Sequence, residues 1–311
     1  MGSVFNEIQE KFPVRNSPEQ KSAFRAWARE TASAAGWDAK TETLNKHNNI
    51  VIGDPETAKV IMTAHYDTPK TAIFPNLMLP TSKILFLAYQ IGVVLVILIP
   101  AIAAAFAARD LLQLDMRDPM SPIKMLIPYL AVYLGLFVLG FKTFTNRHNA
   151  NDNTSGTAAV LETALSLPED TRNKAAFILF DDEEKGKLGS KAFAKEHAEI
   201  KRNTLVLNLD CVGYGDNFLM IYKENCENTA AFETIRSTFL QTPNAAAVND
   251  KTGRANSDQT NFDRGIAVVA CKKSKHGVMY VDKIHTNRDT AVNEENIHIL
   301  RDTALKMIEK L

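Results

Sequence analysis

The sequence has few cysteines, and their arrangement argues against two kinds of site. Cys211, Cys226 and Cys271 are the three cysteines among 311 residues, and no two of them form a Cys-x-x-Cys pair. An odd set without such a pair argues against a disulfide framework and against a zinc site made of thiolates. We therefore expect a protein of a reducing compartment.

The chain also lacks a net charge, because its 36 basic residues balance 36 acidic ones. Proteins that bind nucleic acid or acidic membrane surfaces by charge carry an excess of Lys and Arg. No nucleic-acid partner is therefore expected. A secretory leader is not expected either, since the polar stretch from Met1 to Arg15 has no apolar core.

Long apolar runs are concentrated in one part of the chain. Residues 84–108 form an uncharged run of about 25 residues, which as a helix would reach roughly 37 Å and cross a hydrocarbon core of about 30 Å. A second run extends over residues 123–141 and contains Pro128, so it is marginal as a span. We predict a helical hairpin inside an insert that covers residues 70–147.

Three interpretations of this insert stay open from the sequence. The first is a membrane hairpin, in which residues 84–141 contact the lipid bilayer; the second is a soluble lid or an arm for oligomerisation, because so much apolar surface must be covered. The third is a pair of ordinary core helices. The positive-inside rule counts only the bases and favours a cytoplasmic catalytic domain on an integral membrane protein. The bases on the catalytic side are Lys70, Lys83, Lys142 and Arg147, against Arg109, Arg117 and Lys124 in the connecting loop.

Outside the insert, short apolar strands alternate with helices, and we predict one catalytic domain from residues 1–69 and 148–311. The predicted strands are 40–44, 49–52, 59–64, 175–180, 204–209 and 266–271. The predicted helices are 18–35, 154–167, 188–197, 228–240 and 293–311. This alternation indicates an α/β fold with a mostly parallel, mixed central sheet between helical layers. Ligands bind such sheets beyond the carboxyl ends of the strands.

Acidic and histidine side chains stand where several of these strands end. The candidates for a metal site are His65, Asp152, Glu184, Asp210 and His285. Zinc accepts imidazole nitrogen and carboxylate oxygen, and a catalytic zinc keeps one position open for water. Asp152 has two oxygens and could contact two ions at once. We therefore predict two Zn²⁺ ions, whose four positive charges would balance three carboxylate ligands and one nearby acid.

We predict supporting roles for two further acidic residues, Asp67 and Glu183. Asp67 lies two residues after His65, on the same face of an extended segment, where it could hold the second imidazole nitrogen. Glu183 precedes Glu184 and is the natural general base for a water that attacks a carbonyl.

The ordered motifs of the chain resemble those of the zinc-dependent exopeptidases of metallopeptidase clan MH, family twenty-eight. This family includes bacterial leucyl aminopeptidases and shares its fold with the glutaminyl cyclases. The motifs are Ala64-His65-Tyr66-Asp67-Thr68, Asp152-Asn153-Thr154-Ser155-Gly156, Phe180-Asp181-Asp182-Glu183-Glu184-Lys185-Gly186 with Gly189-Ser190, Asn208-Leu209-Asp210, Ser257-Asp258 and Ile284-His285-Thr286.

The resemblance implies a complete assignment of the site. One zinc would be held by His65, Asp152 and Asp210, and the other by Asp152, Glu184 and His285. It further implies Glu183 as base, Asp67 behind His65, Ser257 and Asp258 near the substrate pocket, and a strained or cis peptide after Asp152. The chain departs from the family in the long insert between His65 and Asp152, which places the base of the insert near the mouth of the site.

Each candidate also has an ordinary alternative. His65 alone would suit a core histidine, Asp152 a helix cap, and residues 181–184 a solvated acidic loop. The remaining histidines are expected to be ordinary surface or core residues, although His148 lies near Asp152 in sequence. They are His47, His148, His197, His276 and His298.

Taken together, the residues and the resemblance predict a membrane-attached di-zinc aminopeptidase that acts on peptides or other amides. The alternatives are a glutaminyl cyclase, a hydrolase of amphipathic non-peptide amides, and a silent scaffold. The metal count separates the cyclase, for which the resemblance implies one zinc, from the peptidase. Loss of ligands would favour the scaffold, and none of the five is missing.

Overall fold

The computed structural model describes residues 3–74, 76–141, 144–227, 229–290 and 292–311. Lys142, counted above among the flanking bases, and Asn228, the predicted first residue of a helix, lie outside these ranges. The strands are β1 Ala39–Leu44, β2 His47–Ile52, β3 Val60–His65, β4 Lys70–Thr71, β5 Phe144–Thr145, β6 Ala175–Phe180, β7 Leu205–Leu209, β8 Asn217–Tyr222, β9 Ala245–Asn249, β10 Gly265–Lys273 and β11 Met279–Tyr280. The helices are α1 Val4–Lys11, α2 Pro18–Ala34, α3 Lys83–Leu111, α4 Ser121–Phe141, α5 Gly156–Ser166, α6 Leu188–Glu196, α7 Ala198–Asn203, α8 Ala230–Phe239 and α9 Glu294–Lys310.

Nine of the described strands form a mixed sheet in the order β1-β2-β6-β3-β7-β10-β8-β9, with β11 paired to β10. The centre, β6-β3-β7-β10, is parallel. Antiparallel pairs join it to β2 on one side and to β8 on the other. The predicted fold class, a mixed α/β sheet flanked by helices, is confirmed.

Strand β6 explains why helices cover both faces of the sheet. All six of its residues are buried, and successive side chains of a strand point to opposite faces. Phe177 and Leu179 join a core with residues of α2, α5, α8 and α9. Ile178 and Phe180 join a second core with residues of α6 and α7. A continuous apolar strand therefore lies between two helical layers.

Helix α2 begins where its sequence predicts. The Ser17 side chain accepts a hydrogen bond from the Gln20 amide, and the Gln20 side chain accepts one from the Ser17 amide, which completes a capping box before Pro18. Gly36, with a φ of 87°, follows the end of the helix. The other predicted strands and helices agree with the structure to within a few residues.

The insert contains two long helices that pack against each other and leave their apolar side chains exposed. In the most apolar stretches of α3 and α4, only 11% and 6% of the residues are buried. Both helices are long and apolar enough to cross a membrane. The interpretation as ordinary core helices is wrong, since no protein layer in the described chain covers them. The two ends of the insert meet where β4 pairs with β5.

Candidate metal centre

The turn that carries Asp152 is a short π-type segment, Ala150–Ser155, before helix α5. Asp289 fixes it by accepting the Asn151 amide at 2.8 Å and the Asp152 amide at 2.9 Å. The peptide bond after Asp152 is cis, as the resemblance implies. At Gly156 a Cβ would lie 2.3 Å from the Leu209 carbonyl oxygen, so a larger residue would displace this turn from β7.

The register of three parallel strands brings the other candidates to the same edge. In the sheet, His65 at the end of β3 lies opposite Phe180 at the end of β6, and β7 pairs with β3 on the other side. The acidic loop after Phe180 and Asp210 after β7 therefore emerge beside His65. His285 arrives from the loop that follows β11.

These side chains form two groups that share Asp152. The first group is His65, Asp152 and Asp210, with the His65 Nε2 atom 3.4 Å from Asp152 Oδ1 and 3.8 Å from Asp210 Oδ1. In the second group, the His285 Nε2 atom lies 3.0 Å from Asp152 Oδ2 and 3.4 Å from Glu184 Oε1. In each group, ligand-type atoms of all three residues lie within 4.8 Å of one another. The two oxygens of Asp152 thus face different groups.

The donor set fits metal ions better than it fits hydrogen bonding alone. Glu184 Oε1 and Asp210 Oδ1 are buried, and neither atom accepts a hydrogen bond from any residue that the structure describes. Buried acceptors without a donor are unfavourable in a folded protein. Two imidazoles and three carboxylates in one cluster are also a suitable ligand set for zinc.

The electrostatics of the cluster indicate the same need for positive charge. Burial alone would lower the pKa of His65 and His285, but the adjacent carboxylates outweigh it and raise both pKa values well above the usual one. Burial would raise the pKa of Asp152, yet the two histidines lower it. With no cation bound, protons on the imidazoles would balance the acids.

Asp67 connects the first group to the acidic loop. Its carboxylate accepts the Glu183 amide at 3.0 Å and the Glu184 amide at 3.2 Å. It lies 3.5 Å from the His65 Nδ1 atom, which is closer, at 3.1 Å, to the Asp67 backbone carbonyl. The carboxylate therefore orients the loop more directly than it orients the imidazole.

Glu183 lies beside both groups without belonging to either. Its carboxylate comes within 4.8 Å of His65 and Glu184 ligand atoms and lines the same cavity. Burial raises the pKa of Glu183 well above its usual value, against the opposing effect of His65. Its place fits a group that exchanges protons at the cluster.

Arg15 is a buried cation behind the cluster that sequence reasoning did not identify. Its side chain is fully buried and donates to the Tyr66 carbonyl and to Thr154 Oγ1, the latter at 3.0 Å. It thereby joins the segment after His65 to the turn after Asp152. Burial lowers the pKa of Arg15 to about 10, so it stays charged at neutral pH. A lone arginine in a polar stretch carries no sequence signal for such a position.

Lys21 on α2 is the second cation that sequence reasoning missed. Its Nζ atom lies 2.6 Å from Asp181 Oδ1 and 2.7 Å from Asp182 Oδ1, and all three side chains are buried. Lys185, which is exposed, also reaches Asp182, at 2.8 Å. These contacts hold the start of the loop that carries Glu183.

The two lysines make a matched pair of variants. Lys21→Met should destabilise the fold by about 3–5 kcal/mol, because it removes the buried cation that pairs with both Asp181 and Asp182. Lys185→Gln should change stability by less than about 1 kcal/mol, because Lys185 is exposed and Asp182 keeps its contact with Lys21. Chemical denaturation of both variants measures the difference. Equal changes in the free energy of unfolding would show that burial of an ion pair does not determine its contribution to stability.

Three other residues named in the sequence analysis lie outside the two groups of candidate ligands. Asp258 is buried and accepts a hydrogen bond from Ser190 at 2.5 Å, and Ser257 Oγ accepts one from the Asn208 side chain at 3.1 Å. His148 is exposed and does not join the two groups within the described chain.

A cavity of about 260 Å³ opens over the two groups. Residues Asn76 and Met78 line it together with the site residues. They belong to the segment that leads from β4 to α3, which we call the strap (residues 72–74 and 76–82). The strap is fixed to the loop of His285, because the Ala72 amide donates to the His285 carbonyl at 2.8 Å and Met78 pairs with Val281. The base of the insert is thus part of the site.

The model of peptidase family M28 matches residues 140–308. No curated protein matches the chain in sequence.

Solved structures share the fold at low sequence identity. A glutaminyl cyclase of Porphyromonas gingivalis is 17% identical, with a TM-score of 0.60 over 99% of this chain and 96% of that one. A Zn-dependent exopeptidase from Parabacteroides distasonis is also 17% identical, with a TM-score of 0.60 over 98% and 95%. A leucine aminopeptidase precursor from Bacteroides thetaiotaomicron is 14% identical, with a TM-score of 0.57 over 99% and 95%.

Proposed function

Since the chain belongs to peptidase family M28 and is a zinc-dependent metallopeptidase, we propose that it is a di-zinc aminopeptidase. In this proposal it removes N-terminal residues from peptides at a membrane surface. The observation that carries the proposal is the position of Asp152, whose Oδ1 and Oδ2 atoms face two different groups of ligand-type side chains. A single ion would not require this arrangement. The other four candidate residues support the proposal, because in each group the ligand-type atoms lie within 4.8 Å of one another.

In this proposal His65 and Asp210 would hold one zinc, Glu184 and His285 would hold the other, and both ions would share Asp152. Zinc bound there would supply Lewis acidity toward the substrate carbonyl and would lower the pKa of a bound water. Glu183 accepts the proton of the attacking water and passes it to the amine that leaves when the amide C–N bond breaks. Asp67 keeps Glu183 and Glu184 oriented through their amides.

Metal analysis and substrate profiling test this function. Zinc-loaded protein should contain two zinc ions per chain and hydrolyse small aminoacyl amides. One zinc together with cyclisation of N-terminal glutamine would favour a glutaminyl cyclase, the fold of which is shared. Hydrolysis restricted to amphipathic non-peptide amides would favour a hydrolase of such amides. Absence of all activity would favour a silent scaffold.

We also propose that α3 and α4 anchor the protein in a bilayer. The exposed apolar side chains of the hairpin support this, including Ile84, Leu111 and Ile127, which are 82%, 84% and 66% exposed. The lengths and the hydropathy of α3 and α4 suit two membrane-spanning helices. The flanking bases favour a cytoplasmic catalytic domain. An oligomer held by the hairpin is the competing arrangement.

Removal of the outer hairpin tests the anchor. Deleting residues 93–138 with a short Gly-Ser linker retains the strap, Phe86 and Gly140. We expect the full chain to stay in carbonate-washed membranes and to need detergent for extraction, and the deletion variant to be soluble with its two zinc ions retained. Light scattering on both proteins is the control. A full chain that is soluble as a defined oligomer would contradict the membrane anchor and support an oligomerisation arm.

A further inference from the structure

A second cavity, at the base of the hairpin, adjoins the cavity over the two groups. The second one has a volume of about 170 Å³. Asn76, Met78 and Asn256 line both cavities, so the two lie side by side. Phe86 and Gln90, in the first turns of α3, line the far end. A groove therefore leads from the candidate ligands to the apolar helix.

Arg254 provides positive charge in this groove. Its guanidinium lies over the Phe86 ring, 3.9 Å from the centroid, and its amide donates to the Pro80 carbonyl at 2.8 Å. Within the described residues no carboxylate lies within ion-pair distance of Arg254. Stacking on an aromatic face leaves the planar edge of a guanidinium free for a bidentate contact with a carboxylate.

We propose that this groove is a subsite for the part of the substrate that follows the scissile amide, with Arg254 binding a carboxylate of that part. The inference rests on the proposed aminopeptidase function. The free amino end of the peptide and its first residue would lie at the metal centre. Because the groove continues from that centre, the departing part of the peptide extends along the strap toward Phe86.

The walls of the groove also define the ligand chemistry. Met78, Leu79 and Phe86 offer apolar contact, while Arg254 offers a positive charge to an anionic group. The ligand is therefore a short peptide with an apolar side chain after the scissile bond and a free carboxylate beyond it. The strap and α3 supply most of these walls, so the insert contributes to substrate selection as well as to anchoring.

Matched peptides test the subsite directly. A series of tripeptides to hexapeptides, each with an N-terminal Leu and either a free carboxylate or a carboxamide at its C-terminus, is titrated into zinc-loaded full-length Glu183→Gln protein by calorimetry. One length should bind about tenfold to a hundredfold more tightly as the carboxylate, the range for a hydrogen bond to a charged group. Adding Arg254→Gln should remove this preference, and Arg254→Glu should reverse it. Adding Lys251→Gln is the control and should keep it, since Lys251 is exposed, paired with Glu224 at 2.7 Å and outside the groove.

Two results would overturn the subsite. One is equal binding of carboxylate and carboxamide at every length, and the other is a preference that persists with Arg254→Gln. The Glu183→Gln background separates this question from catalysis, because it measures binding alone. Failure of the zinc-loaded wild type to hydrolyse any aminoacyl or peptide amide would count against the proposed function, while the binding preference would still decide the subsite.

Discussion

Replacement of Glu183 by Gln is expected to lower kcat at least about a hundredfold, the usual scale for loss of a general base. The amide has nearly the shape of the carboxylate but does not accept a proton from water at neutral pH. Glu183 is outside the two groups of candidate ligands that share Asp152. The zinc content and the peptide KM should therefore change little.

The control variant is Glu196→Gln, which makes the same substitution at an exposed acid on α6. Zinc per chain is measured on both variants, and kcat and KM are measured on an aminoacyl amide. Near-normal turnover of Glu183→Gln would remove Glu183 from the role of base. A loss of zinc in parallel with activity would instead assign Glu183 to the ligands.

The convergence of the candidates was predictable because it follows from one property of parallel sheets. Adjacent parallel strands end at the same edge, so His65, the acidic loop and Asp210 meet once β6, β3 and β7 are neighbours. Their apolar, β-branched character identified these strands in the sequence. His285 has no comparable local signal and depended on the resemblance.

The supporting residues were not predictable for a physical reason. Arg15 and Lys21 belong to a polar segment and an amphipathic helix, where basic residues are ordinarily solvated. Only the packing of α2 and the preceding segment against the sheet buries Arg15 beside Thr154 and Lys21 beside Asp181, which are far away in sequence. Strands β8 and β9 were missed because no polar motif marks their ends. The strap was missed because its place in the site follows from pairing with Val281.

The apolar insert shows what hydropathy alone decides. Its composition predicted two helices, and the structure contains them with somewhat longer bounds. Hydropathy did not decide between a buried pair and an exposed one, because both require apolar residues. The exposure of α3 and α4 answers that question. The extraction experiment tests whether lipid or another copy of the chain covers the exposed surface.

The second large effect is expected from the ligands, whose variants should differ in how many zinc ions they lose. Asp152→Ala should abolish binding of both ions, because each group loses a ligand and the two no longer share a carboxylate. Activity should fall by more than about a hundredfold, since replacing even an outer partner of a ligand costs about 10–100-fold. His285→Ala changes the second group alone, so it should retain close to one zinc per chain at the first.

Zinc per chain, measured by mass spectrometry after equilibration with buffered zinc, compares Asp152→Ala, His285→Ala and Asp210→Ala. Circular dichroism verifies that each variant is folded. The proposal requires that His285→Ala and Asp210→Ala each lose one ion and that Asp152→Ala lose two. If Asp152→Ala and His285→Ala each lost a single ion from a protein that binds only one, Asp152 would belong to one site, and the di-zinc mechanism would give way to a mono-zinc centre. Since Asp152 Oδ1 and Oδ2 face different histidines, the structure favours the first outcome.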